Sequence, residues 1–236
     1  MVYIAGLHMP NSQLIATWTT SASFLAHFLV AREFSSLNKT TPSLSGPLKL
    51  HTTPRTAIAA TIVHTLAIFG PPATYLVGVL TNGLRERPWM ARCSLDRLIG
   101  YLSGRQTIVK GDTKDIVRAV SAALLLLVFP RVMSAVNKAI GDQFAPLGVR
   151  TKARVVKTGP YAIVRHPSYA VGILANAFLS IPLWSFVPLI ASVVTTTAFI
   201  VKLRIEESII LRDADIGTQY KAYQRTVRKR LIPYVW

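Results

Sequence analysis

Residues 158–169 read Thr-Gly-Pro-Tyr-Ala-Ile-Val-Arg-His-Pro-Ser-Tyr and stand at the start of the longest uncharged part of the chain. Pro160 and Pro167 interrupt helix formation, because proline restricts the residue before it and removes a backbone donor. Beside these prolines lie five side chains that form hydrogen bonds: Tyr161, Arg165, His166, Ser168 and Tyr169. Such a polar cluster at the start of an apolar segment indicates a functional site. The alternative is that Arg165 and Tyr169 are interfacial anchors, with Glu206 and Glu207 paired with Lys202 and Arg204 on a solvated helix.

The apolar segment that follows, residues 167–201, contains no Asp, Glu, Lys or Arg. Its length exceeds the ~20 residues that one membrane span needs. Ile181-Pro-Leu-Trp184 offers a turn near the middle, so the pattern predicts a helical hairpin with helices over about 168–181 and 185–201. Because both ends of a hairpin emerge on the same side, Glu206-Glu207 should return to residues 158–169.

The composition is that of a membrane protein. Hydrophobic residues make up 51% of the 236 residues and charged residues only 16%, which is too apolar for an ordinary soluble domain. The net charge of +17 comes from basic residues that lie between uncharged runs, as in membrane proteins. We therefore expect a bilayer with anionic headgroups as a partner, and no nucleic acid.

Three further apolar runs precede the hairpin, over residues 13–31, 56–80 and 116–136. With the hairpin they predict an all-α, polytopic integral membrane protein with about five transmembrane helices. Gly70-Pro71-Pro72 interrupts the second run, which is either one broken helix or a tight hairpin.

Two polar segments join these runs. Residues 34–55 are rich in Ser, Thr and Pro and predict a polar connection. Leu95, Leu98, Ile99 and Leu102 recur at helical spacing and predict an interfacial amphipathic helix.

The chain divides by its expected role into residues 1–136, which anchor it in the membrane, and residues 137–236, which carry the chemistry. Residues 137–166 contain 6 Lys and Arg, and residues 202–236 contain 8. By the positive-inside tendency both segments should face the cytosol.

Metal chemistry is not expected. Cys93 is the only cysteine, and the other four histidines are distant from His166 in the sequence, so a ligand set is improbable. The chain also lacks a glycine-rich phosphate loop and a serine nucleophile elbow.

The motifs of the C-terminal half are similar to those of a known family. Gly159-Pro160-Tyr161, Arg165-His166-Pro167-Ser168-Tyr169, a hairpin, Arg204-Ile-Glu206-Glu207 and a distal Gly217, Tyr220 and Tyr223 resemble the isoprenylcysteine carboxyl methyltransferases. These enzymes belong with the phospholipid methyltransferases in a wider membrane superfamily. The resemblance covers roughly residues 137–236.

The resemblance implies S-adenosylmethionine as cofactor in a cytosol-facing pocket. The implied cofactor contacts are Ala153, Arg154, Val155, Val156, Tyr161, His166, Pro167, Ser168, Tyr169, Glu206 and Glu207. Arg204 is the implied catalytic contact to the substrate carboxylate. The spacing leaves two choices open, namely which of Glu206 and Glu207 binds the cofactor, and whether Lys202 or Arg204 is the basic residue.

Two further residues are candidate substrate contacts. The guanidinium of Arg165 suits a carboxylate. Asn176 lies in the first hairpin helix, where an amide needs a partner. We expect it to bond to the second helix near Thr195 to Thr197, with a substrate contact as the alternative.

The resemblance predicts a protein-S-isoprenylcysteine O-methyltransferase of the endoplasmic reticulum membrane, with prenylated C-a-a-X protein C-termini as partners. An α-carboxylate has a pKa of ~3.5, so it is already the nucleophile at neutral pH and needs no general base. The alternatives are a phospholipid N-methyltransferase, which needs a base, a sterol reductase-like enzyme and a non-catalytic membrane scaffold.

Overall fold

The protein is an all-α polytopic membrane protein in a computed structural model that describes residues 2–4, 7–49, 54–105, 109 and 111–231. Two short antiparallel strands, β1 (Val2–Ile4) and β2 (Leu7–Met9), come first. The α-helices in the described residues are α1 (Asn11–Ser45), α2 (Arg55–Leu80), α3 (Pro88–Arg92), α4 (Leu95–Ser103), α5 (Gly111–Ile140), α6 (Pro167–Phe178), α7 (Val187–Arg212) and α8 (Gly217–Thr226).

Four helical segments in the described part of the chain are long and apolar enough to cross a membrane. They are Asn11–Ser45, Arg55–Leu80, Gly111–Gln143 and Val187–Arg212. The fifth predicted helix, α6, has 12 residues and is therefore about 18 Å long. That length is short of the ~30 Å hydrocarbon core, so α6 is too short to cross a membrane by itself.

The first helix is longer than its apolar run predicts. The expectation of a polar connection from residue 34 is wrong for residues 34–45, because α1 continues to Ser45. Thr40 and Thr41 lie within this extension, and their hydroxyls donate to the carbonyls of Ser36 and Leu37. These two hydroxyls are thus satisfied by carbonyls of the same helix.

Helices α2 and α4 test two predictions, namely the break at Gly70-Pro71-Pro72 and the amphipathic helix. Gly70, Pro71 and Pro72 lie inside one continuous α2, so the tight hairpin is excluded. Proline is tolerated in membrane helices where other groups satisfy the freed carbonyls. The amphipathic helix is confirmed as α4, and Gly104 ends it in the left-handed conformation, with φ of 65°.

The predicted C-terminal hairpin is confirmed, with a longer second arm. The chain turns between Phe178 and Val187, around the predicted Pro182. The second arm does not end at Val201 but continues as α7 to Arg212. Glu206 and Glu207 therefore lie on the same helix as the apolar run that precedes them.

The described residues form two compact units. The first lies within residues 1–28, 65–130 and 174–194. Its buried Arg118 donates from Nε to the carbonyl of Pro182 at 3.1 Å and forms an ion pair with Glu86. The hydroxyl of Tyr75 donates to Ser185 in the same unit.

The second unit lies within residues 29–64, 131–173 and 195–236. Lys49 donates to Asp213 at 2.7 Å and to Asp215 at 2.6 Å, just beyond the end of α7. The same segment pairs with residue 149, since the backbone N–H of Lys49 donates to the carbonyl of Val149 at 2.8 Å. This unit contains the polar motifs of the C-terminal half. The expected functional division at residue 136 stays a prediction.

Candidate functional site

The segment before α6 is held in place by the C-terminal tail. Gly159 has φ of 61°, a conformation that glycine adopts without strain, and it begins a 3-10 turn that ends at Ala162. The backbone N–H groups of Arg165 and His166 then donate to the carbonyls of Lys229 and Arg230, both at 2.9 Å. These two bonds fix the residues that the sequence motif singled out.

Glu207 is the centre of a buried charge cluster that we call the Glu207 cluster. Its carboxylate is 4% exposed and accepts from Arg165 Nε at 2.8 Å, His166 Nε2 at 3.1 Å and Tyr220 Oη at 3.3 Å on Oε1. Arg230 Nε lies 3.2 Å from the other oxygen, Oε2. Because a carboxylate only accepts, His166 Nε2 must carry a proton. Glu207 is thus fully engaged by protein groups.

Arg165 links this cluster to the tail. Its side chain is buried, and Nη1 donates to the carbonyls of Val227 and Arg228 at 2.8 Å each. A buried guanidinium with a carboxylate and two carbonyl partners is a well-satisfied charge. The proposed substrate contact for Arg165 stays a prediction, and the observed bonds give the residue a fastening role.

A different face of α7 carries Phe199, Lys202 and Glu206, three and four residues apart, and we call it the Lys202–Glu206 face. Tyr169 of α6 lies along it. The ring of Tyr169 stacks on Phe199 at 4.3 Å and on His166 at 5.8 Å between centroids. Its hydroxyl donates to Glu206 Oε2 at 2.8 Å, and the ammonium of Lys202 lies 5.4 Å from its ring centroid.

The Lys202–Glu206 face keeps unused hydrogen-bonding capacity. Within the described ranges, Glu206 Oε1 has no hydrogen-bond partner, and neither does the hydroxyl of Tyr161. Tyr161 is close enough to Glu206 for the carboxylate charge to raise its pKa further, after burial, which is the main cause of the rise. The phenol therefore stays protonated and able to donate.

Tyr220 and Tyr223 close the other side of the Glu207 cluster. They pack with Val227, against which Val155 also lies, and Tyr223 donates to the carbonyl of Tyr161 at 2.6 Å. Burial raises the pKa of Tyr220, and it raises that of Tyr223 to about 12. Both phenols remain neutral donors at any physiological pH.

Residues 153–156 lie beside this apolar packing. Arg154 is exposed, donates from its backbone N–H to Gln143 at 2.7 Å, and pairs with Asp142 at 2.9 Å. Ala153, Val155 and Val156 are half-buried. Pro167 and Ser168 open α6, with Pro167 buried and Ser168 half-buried.

The remaining two predicted residues lie elsewhere. Arg204 is exposed on α7 and makes no ion pair or hydrogen bond with any residue in the described part of the chain. Asn176 belongs to the first unit, where its Nδ2 donates to the carbonyl of Ala67 at 3.3 Å. The substrate roles of both residues stay predictions.

Sequence reasoning missed two contributors. Arg230 was not expected to reach Glu207, because a tail residue that is distant in sequence gives no local signal. For Lys202 the sequence suggests an alternative to Arg204 or an ion pair with the glutamates, although a lysine one turn before Glu206 also indicates that both lie on one face. The motif already names Tyr220 and Tyr223, whereas the bonds from Tyr220 to Glu207 and from Tyr223 to the Tyr161 carbonyl have no signal in the sequence.

The model of the phospholipid methyltransferase family matches residues 117–213. The match covers less than half of the chain and includes both the Arg165–Tyr169 motif and Glu206-Glu207. It supports the wider superfamily of membrane methyltransferases that includes the phospholipid and isoprenylcysteine enzymes. No curated protein matches the chain.

Methyltransferases of this superfamily generally use S-adenosylmethionine, and the donor set around α7 fits it. A half-buried carboxylate with one oxygen unused can accept from an ammonium or from sugar hydroxyls. Tyr161 adds a hydroxyl with no partner among the described residues. The ring of Tyr169 is already stacked on Phe199 and on His166.

Proposed function

We propose that this protein is an S-adenosylmethionine-dependent methyltransferase that esterifies the C-terminal carboxylate of prenylated cysteine. The carrying observation is that Tyr169 donates to Glu206 at 2.8 Å, which joins the two sequence motifs on one face of α7. The cofactor, when bound, supplies an electrophilic methyl group on a sulfonium. The chain must then hold two ligands and exclude water from them.

The charges near the site suit a carboxylate acceptor. Such an acceptor is ionised at neutral pH, so no side chain has to remove a proton. His166 Nε2 and the Glu207 carboxylate are already bonded to each other, which suits a reaction that needs neither as a free base. The exposed guanidinium of Arg204 matches a carboxylate in charge and shape.

The prenyl chain would remain in the bilayer beside the apolar hairpin. Burial of each methylene there is worth ~0.8 kcal/mol. The excess of basic residues in 137–166 and 202–236 favours a cytosolic orientation, near anionic headgroups and processed C-a-a-X proteins. We propose the endoplasmic reticulum membrane as the location.

A phospholipid N-methyltransferase is the second candidate, because the matching family model carries that description. An ammonium acceptor must lose a proton before it attacks, so this reaction requires a base. On the Lys202–Glu206 face, that base would be the carboxylate of Glu206, of which one oxygen accepts from Tyr169.

The test gives radiolabelled S-adenosylmethionine and either farnesylcysteine or phosphatidylethanolamine to the purified protein in liposomes. We expect base-labile methyl ester on farnesylcysteine, at a rate that is constant above about pH 5 because the carboxylate is fully ionised there. Label only in the lipid, with a rate that rises with pH, would support the second candidate. Absence of transfer to either acceptor would overturn the proposal.

Arg204→Gln tests the acceptor role within the same assay. We expect a higher KM for farnesylcysteine and an unchanged KM for S-adenosylmethionine, because the proposed role of Arg204 is confined to the acceptor. Lys221→Gln on the exposed side of α8 is the matched control and should leave both constants unchanged.

A further inference from the structure

Lys202 is a buried cation that the proposed reaction has not used. It is 6% exposed and lies ten residues before the end of α7 at Arg212, or about 15 Å along the helix. Its ammonium lies over the ring of Tyr169 at 5.4 Å from the centroid. A lysine is almost never fully buried without a partner, because removal of the charge from water is costly.

No ion pair in the described residues neutralises Lys202, although the charge of the Glu206 carboxylate acts on it. Phe199 and Tyr169 are uncharged aromatic neighbours, and His64 of α2 is close enough for the charge of Lys202 to act on it. His64 Nδ1 lies 2.8 Å from the carbonyl of Ala60 and must donate to it, so this ring is neutral or positive but never an anion.

Glu206 is the acidic residue of this face, one turn from Lys202. The spacing of four residues would allow a direct ion pair. No ion pair joins these two described residues. The Tyr169 hydroxyl donates to Glu206 Oε2, and the ammonium of Lys202 lies over the Tyr169 ring. Tyr169 therefore keeps a positive and a negative group apart on one helix face, both with capacity for a ligand.

We infer that Lys202 and Glu206 form a two-point site for the zwitterionic α-amino-acid end of the cofactor. Lys202 receives the carboxylate and Glu206 the ammonium, since each group then meets its opposite charge. The inference rests on the proposed function and adds a residue that the sequence motif did not assign. It also predicts that the aromatic stack of Phe199, Tyr169 and His166 sets the spacing between the two charges.

The test measures ligand binding by calorimetry on the purified full chain in detergent micelles. The probes are S-adenosylhomocysteine and methylthioadenosine, which share the adenosine and the thioether but differ in the amino-acid end. We expect Lys202→Met to weaken S-adenosylhomocysteine by about 10- to 100-fold, as for a lost charge-assisted bond. Methylthioadenosine should bind Lys202→Met as it binds the unchanged protein.

Three variants and one ligand comparison complete the design. Glu206→Gln should show the same selective loss, and Lys221→Met is the exposed lysine control that should show none. Lys202→Gln replaces Lys202→Met if the latter does not fold. The unchanged protein should itself bind S-adenosylhomocysteine more tightly than methylthioadenosine.

Other outcomes overturn the inference in distinguishable ways. Equal weakening of both probes would give Lys202 a structural role only. Unchanged binding of S-adenosylhomocysteine, with a raised KM for farnesylcysteine, would assign Lys202 to the acceptor carboxylate. A change seen only in vesicles that contain anionic phospholipid would assign it to a lipid phosphate. Failure of the unchanged protein to bind S-adenosylhomocysteine would overturn the proposed function as well.

Discussion

Glu206 and Glu207 are neighbours in the sequence, but they lie on two different faces of α7 and differ in how many partners their carboxylates have. Glu207 lies in a cluster whose four partners come from the segment before α6, from α8 and from the tail. Glu206 receives one hydroxyl, from Tyr169, and keeps an oxygen without a partner in the described residues. Both carboxylate oxygens of Glu207 therefore have partners in the described residues, whereas only one oxygen of Glu206 does.

This difference separates stability from ligand binding. A buried charge whose partners are all internal fixes the fold, because loss of one partner leaves the others uncompensated. A buried or half-buried charge without its full set of partners is where a ligand gains most. The two faces therefore predict different phenotypes for substitutions that are chemically identical.

The largest expected effect is that of Glu207→Gln. It would leave Arg165 buried without its counter-charge and so lower the free energy of unfolding by about 3 kcal/mol or more. Denaturant titration in detergent micelles measures this loss. Unchanged stability together with lost cofactor binding would instead make Glu207 a cofactor ligand.

Glu206→Gln is the matched substitution one residue away. It weakens a single bond from Tyr169, so the free energy of unfolding should change by no more than about 1 kcal/mol. A loss as large as that of Glu207→Gln would erase the distinction between the two faces.

A smaller effect is expected from a pair of tyrosine substitutions. Tyr223→Phe removes the 2.6 Å bond to the Tyr161 carbonyl and should cost about 1 kcal/mol of stability. Tyr161→Phe removes a hydroxyl that bonds to none of the described residues, so stability should hold while affinity for S-adenosylhomocysteine falls. Thermal unfolding with and without the ligand checks both expectations. Equal destabilisation by the two variants would contradict them.

The smallest effect concerns the ion pair at the end of α7. Burial alone would raise the pKa of Asp213, but Lys49 and the backbone N–H groups of Asp215 and Ile216 hold it below its usual value. A lowered folded pKa gives stability that is present above the unfolded value of about 3.9 and is lost as the pH falls through the folded pKa. Lys49→Met should therefore reduce stability at neutral pH and flatten its acid dependence.

Unfolding midpoints between pH 7 and about pH 3 test this prediction, with Lys39→Met on the exposed side of α1 as control. A parallel acid dependence in Lys49→Met and the unchanged protein would show that Lys49 does not set the pKa of Asp213.

The helical membrane class, the C-terminal hairpin and the meeting of the two polar motifs were all readable from the sequence. They depend on local signals, since charge-free length predicts spans and Pro182 marks a turn. The extension of α1 to Ser45 was not readable, because residues 34–45 lack apolar periodicity and contain Pro42. The end of α1 does coincide with a local signal, since Gly46 has φ of 76° and Pro47 follows it.

The different environments of Glu206 and Glu207 could not be predicted from the sequence either. The sequence shows two identical residues, and their difference arises from Arg230 and Tyr220, which approach only one of them. Long-range partners of this kind carry no periodic signal. The burial of Lys202 was also hidden, because lysine normally predicts an exposed position.

The continuity of α7 through Val201 also limits which sequence changes the protein can accept. Each residue turns an α-helix by about 100°, so insertion of one residue between Lys202 and Glu206 would rotate every later side chain away from its present neighbours. The acid that now meets Arg165 would point elsewhere, and Lys202 and Glu206 would no longer share a side of the helix. Substitutions along α7 can be absorbed one at a time, whereas a change of length would disturb both faces together.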